Sequence, residues 1–114
     1  WLLEKALGYR QALQLVVEGG QLSSDKCVQY GLANKVVVDD KLHEESNKWA
    51  HLLASRPPLA SSAAKRLLRK APSRSYDEAF MAEAFEQDKV SVSEDFKNAV
   101  ISFFKKEKPT FKGE

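Results

Sequence analysis

Apolar residues recur at helical spacing along most of this chain. Leu2, Leu3, Ala6 and Leu7 fall on one helical face, and Gly8 interrupts it. The pattern resumes over residues 9–18 with Ala12, Leu13, Leu15, Val16 and Val17, apolar around much of the circumference. Such a segment expects cover on more than one side. The paired glycines Gly19 and Gly20 end it, and Ser23 or Ser24 offers an N-cap for a short helix with Asp25 in its first turn. Gly31 stops that helix, and Val36, Val37 and Val38 favour an extended strand.

Beyond Asp40 the pattern is helical throughout. Asp39 or Asp40 caps a helix running to about Ser55, with Leu42, Trp49, Ala50, Leu52 and Leu53 as its apolar positions. Arg56-Pro57-Pro58 breaks the chain, since the residue before a proline avoids the α region, and Pro58 suits a first helical residue. Leu59, Ala60, Ala63, Ala64, Leu67, Leu68 and Ala71 then form a small-residue face, opposite Lys65, Arg66, Arg69 and Lys70, before Pro72 ends the helix. Ser75 and Glu78 have the spacing of a capping box. Tyr76 with Phe80, and Met81 with Phe85, are i,i+4 pairs expected on the buried side of that helix. Ser93 begins the last helix, striped by Phe96, Ala99, Val100 and Phe103 and widened by Phe104. Lys105, Lys106 and Lys108 sit near its negative end, and Pro109 closes it. The pattern predicts a mainly α chain with one short strand near 36–38.

Composition narrows this picture only slightly. The chain has 114 residues, enough for one domain with a modest core, and its formal charge of +2 argues for neither nucleic acid nor membrane. No apolar run approaches the ~20 residues of a membrane span. A single cysteine, Cys27, forms no internal disulfide. The opening Trp1-Leu2-Leu3, without methionine, is the start expected of an interior piece of a longer polypeptide.

Candidate chemistry is sparse. His43 and His51 are eight residues apart, too far for an i,i+4 metal pair, and Cys27 has no partner at a zinc spacing, so no metal site is expected. Glu44-Glu45 and the pair Glu83 and Glu86 read as solvated helix faces rather than converging acid–base groups. The basic run 65–70 lacks interleaved aromatics and reads as a solvated or subunit-facing side. Phe103 and Lys106, three residues apart, share one face, as an adenine ring beside a phosphate would require. From spacing alone, a core phenylalanine and a lysine complementing the helix dipole is the plainer reading.

In order and spacing, however, the whole chain resembles the C-terminal portion of the crotonase superfamily, the enoyl-CoA hydratase/isomerase enzymes. The resemblance lies in Trp1-Leu-Leu-Glu-Lys-Ala-Leu-Gly8, in Leu22-Ser-Ser-Asp25, in Tyr30-Gly-Leu-Ala-Asn-Lys-Val-Val37, in Pro57-Pro58 with Ala64-Lys65, and in the closing Phe103 to Gly113. Asn98-Ala99 and Glu107 depart from the acidic-glycine pair and the arginine common in that family. The resemblance implies that residues 1–38 end a crotonase-like α/β core and 39–114 form a helical oligomerisation region. It implies acyl-CoA thioester substrates, as in fatty acid metabolism, with an oxyanion hole stabilising an enolate. The groups that do this would lie in an N-terminal catalytic core before Trp1, so no catalytic residue is expected in this chain and the piece alone is expected to be inactive.

Phe103 and Lys106 match positions that contact the coenzyme A nucleotide, and coenzyme A enters as part of the substrate, with no separate cofactor. A homotrimer or hexamer is implied, in the cytoplasm of a bacterium or otherwise in mitochondria or peroxisomes. The alternative is an independent helical acyl-CoA-binding module, whose Tyr-Gly-Leu motif is echoed at Tyr30-Gly31-Leu32. The expected strand and the Pro57-Pro58 break suit that alternative poorly.

Overall fold

The computed structural model describes residues 1–114. In chain order it forms α1 (Leu2–Leu7), α2 (Tyr9–Glu18), α3 (Ser24–Gln29), α4 (Leu42–Ala54), α5 (Pro58–Lys70), α6 (Tyr76–Ser91) and α7 (Glu94–Lys105). Tight 3₁₀ turns occupy Asp39–Lys41 and Ala71–Ser73. Three serines set three of the helix starts, because a hydroxyl satisfies a backbone N–H that the first turn leaves without a partner. Ser23 accepts from the Lys26 amide at 3.3 Å, Ser75 from the Glu78 amide at 3.3 Å, and Ser93 from the Phe96 amide at 3.1 Å. At Ser75 the box is complete, since the Glu78 carboxylate accepts the Ser75 amide at 2.8 Å. Pro58 opens α5 as its first residue.

Helix ends are equally local. At the end of α3 the Gly31 amide donates to the Val28 carbonyl and the Leu32 amide to the Cys27 carbonyl, a Schellman closure. That closure requires a left-handed residue, which glycine adopts without steric cost, and Gly31 has φ 74.

The expected strand at 36–38 does not form. Val38 is extended, with φ −67 and ψ 147, as its β-branched side chain favours. A strand also needs a neighbouring strand to exchange hydrogen bonds, and every regular element of this chain is helical.

The chain divides into two compact units, Trp1–Ser46 and Asn47–Glu114, with α4 contributing residues to each. In the first, α1 packs on α2 with Ala12 buried, and Lys35 pairs with Glu45. In the second, α5 packs on α6 and α6 on α7. Ala63 is buried on the small-residue face of α5, which permits close approach. Arg66 of α5 holds Glu86 of α6 through two nitrogens, at 2.7 and 3.3 Å.

Little else is covered. Only Ala12, Ala63 and Asp95 are buried. Tyr76, Phe80, Met81 and Phe85, expected on a buried side, are between 59% and 81% exposed. The i,i+4 pairing is present, Tyr76 and Phe80 stacking at 6.3 Å. The helices that contact α6 leave these side chains uncovered.

Candidate functional site

The expected site lies at the C-terminal end of α7, and its geometry follows from how that helix stops. The Lys106 amide donates to the Phe103 carbonyl at 3.1 Å and the Glu107 amide to the Ser102 carbonyl at 2.9 Å. This is the Schellman closure again, but the left-handed position holds Lys106, at φ 58, the only non-glycine residue with positive φ. A side chain there costs about 1–2 kcal/mol of backbone strain relative to ordinary helical geometry. Gly31 performs the same task at α3 with no such cost.

The closure brings Phe103 and Lys106 to the same helix end, both exposed. Phe103 is 79% exposed and meets Phe104 edge to face at 5.8 Å, so the apolar stripe does not bury its last members. Lys106 makes no ion pair within the chain. An open aromatic face and an unpaired ammonium group can stack a planar ring and neutralise an anion.

At the opposite end of α7 lies a contact that the sequence pattern did not single out. Asp95, in the first turn of α7, is 3% exposed. Its two carboxylate oxygens accept the amides of Lys112 and Gly113 at 2.7 and 2.8 Å, and its own amide donates to the Glu114 carbonyl at 3.0 Å. The buried charge is offset by these two donors and by the positive end of the helix. Gly113 has φ 86, and a Cβ there would come within 3.4 Å of Pro58 Cγ. Asp95 reads in sequence as one more acid complementing the helix dipole. Its long-range role has no local signal apart from the late glycine.

The other candidates do not converge. His43 and His51 are exposed on α4, Cys27 is half-buried on α3, and no three His, Cys, Asp or Glu side chains gather as metal ligands. Glu86 is engaged by Arg66, so neither the basic run nor the carboxylate pair is free as a set. A hollow of about 710 Å³ against Arg10, Leu13, Gln14 and Val17 is the open outer side of α2. Between α5 and α6 a half-open groove of about 170 Å³ is lined by Ala60, Ala64, Leu67 and Val90. No helix is long and apolar enough to cross a membrane.

The enoyl-CoA hydratase/isomerase family model matches residues 1–114, the whole chain. The chain belongs to that family. Among curated members, 1,2-epoxyphenylacetyl-CoA isomerase of Escherichia coli is 28% identical over 113 residues, 99% of this chain and 43% of its own length. The short-chain-enoyl-CoA hydratase of Clostridium acetobutylicum is 26% identical over 93% of this chain and 41% of its own. An enoyl-CoA hydratase subunit I structure from Geobacillus kaustophilus superposes with a TM-score of 0.91 at 33% identity, covering 98% of this chain and 44% of that one. The chain therefore spans less than half the length of the family members it matches. An isomerase and a hydratase match almost equally well, so these residues carry the family's common frame more than any one reaction.

Proposed function

We propose that this chain is the C-terminal helical region of an enzyme acting on acyl-CoA thioesters, supplying subunit packing and part of the coenzyme A site. The observation that carries the reading is the end-to-end match of the chain to less than half of each relative. The relatives' names specify coenzyme A thioesters for the isomerase and the hydratase alike, and the same substrate class is assigned here.

On this reading the reaction is performed by the other half of the enzyme. Backbone N–H groups there form an oxyanion hole for the thioester oxygen and stabilise an enolate, while glutamates move the proton or activate water. Phe103 stacks against the adenine and Lys106 neutralises a phosphate of the nucleotide, and no cofactor beyond coenzyme A itself is required. The strained backbone at Lys106 supports this, because a residue kept in an unfavourable conformation is an indicator of function. The exposed apolar faces pack against the catalytic core and against neighbouring subunits of a trimer or hexamer. In a bacterium the enzyme works in the cytoplasm.

The test is direct. Purified 1–114, cleared of host hydratase, is expected to show no hydration of crotonyl-CoA and only weak binding of coenzyme A. Turnover by the isolated chain would overturn the placement of its catalytic groups elsewhere. Tight coenzyme A binding by a monomer would favour an independent acyl-CoA-binding module instead.

A further inference from the structure

We infer that Asp95 is a positioning residue for the coenzyme A contact, latching the C-terminal tail so that the reversal at Lys106 is held in one conformation. The inference rests on the proposed role of Phe103 and Lys106. α7 runs from Glu94 to Lys105, the chain turns at Lys106, and residues 107–114 return to the start of the same helix. Asp95 closes this loop with three hydrogen bonds, two through its carboxylate and one through its own amide. The loop closed in this way contains both Phe103 and Lys106.

Three features separate this from ordinary capping. Ser93 already caps α7, so the helix start does not need Asp95. Asp95 is the one buried charged or polar side chain in the chain, and a buried carboxylate persists only where its hydrogen bonds are met. Its partners lie 17 and 18 residues away, which makes the contact tertiary. Lys106 has no side-chain hydrogen bond or ion pair of its own to hold it, so its left-handed conformation depends on the turn's backbone bonds and on the anchored tail beyond. Gly113 permits the anchorage, since its φ of 86 is a conformation that a residue with a side chain rarely adopts.

The experiment uses the native polypeptide that carries these residues. Asp95→Asn keeps the shape but removes the charge and one acceptor. It is expected to accelerate amide exchange at Lys112 and Gly113 at least tenfold, and to open tryptic cleavage after Lys106 and Lys112. Coenzyme A affinity, measured by calorimetry, is expected to fall about as far as in Lys106→Ala, with the double variant no weaker than Lys106→Ala alone. A chain shortened after Thr110 keeps Asp95 and all of α7, guards against misfolding of the point variant, and is expected to show the same loss of affinity. Unchanged exchange at Lys112 and Gly113 overturns the latch. Faster exchange with unchanged affinity, while Lys106→Ala weakens binding, overturns the positioning role and leaves the coenzyme A site standing. Unchanged affinity in Lys106→Ala alone removes the proposed coenzyme A contact and the positioning role with it.

Discussion

At the scale of single residues, Lys106 is where backbone cost and side-chain use meet. Its φ of 58 places a lysine where the equivalent closure of α3 uses Gly31. Lys106→Gly should therefore relieve about 1 kcal/mol of strain and raise the melting temperature. The same variant should weaken coenzyme A binding as much as Lys106→Ala, because both remove the ammonium group. A melting temperature that falls instead would show that the side chain supports the fold. On the proposed reading, Lys106→Ala in the full enzyme should raise KM about tenfold, the equivalent of ~1.4 kcal/mol of binding, with a smaller change in kcat. Unchanged steady-state kinetics would remove Lys106 from the site. Phe103 and Lys106 were paired from helical spacing, whereas the structure places Lys106 just past α7 at its left-handed stop, with both side chains exposed. The role of Asp95 was not legible, because its partners are far along the chain.

At the scale of elements, α6 is fixed by local chemistry at its start and by an ion pair along its length. Ser75→Ala should cost about 1 kcal/mol, measurable by thermal or urea denaturation, since the Glu78 amide loses its acceptor. Two carboxylates on this helix, Glu78 and Glu86, titrate below the usual range. For Glu78 the cause is first the Ser75 backbone amide and then the Ser75 hydroxyl, and for Glu86 it is first the hydrogen bond from Arg66. A carboxyl whose pKa is lowered by folding stabilises the folded state above its unfolded value, about 4.3, and the contribution is lost as pH falls through the lower folded value. Acid below that range should therefore loosen α6 from α5, and Glu86→Gln should flatten this part of the pH profile of helicity. An identical acid transition in Glu86→Gln would rule out the ion pair as its cause. The caps at Ser23, Ser75 and Ser93 were readable because each is settled within three residues. The strand near 36–38 was not, because strand formation depends on a neighbour.

At the scale of the molecule, the dominant fact is exposed apolar surface. Tyr76, Phe80, Met81 and Phe85 line one helix without cover, and Val16 and Val17 do so on another. Large apolar side chains exposed in this number favour association in water. The isolated chain should sediment as self-associated species, with Phe80→Asp or Phe85→Asp shifting it toward monomer. A strictly monomeric profile for the unmodified chain would count against association through these faces.

The sequence by itself determined where most of the helices begin and several end, since serine caps, prolines and glycines act through hydrogen bonds and torsions within a few residues. The exception is α7, which stops at Lys105 on a left-handed Lys106 rather than at Pro109. The sequence also determined the resemblance to the enoyl-CoA hydratase/isomerase family, whose model matches the whole chain. Tertiary structure alone decided which apolar positions find cover, because periodicity marks a face without supplying its partner. It also decided that Asp95 is a buried tether, since only folding brings a carboxylate at the start of α7 onto amides at the end of the chain.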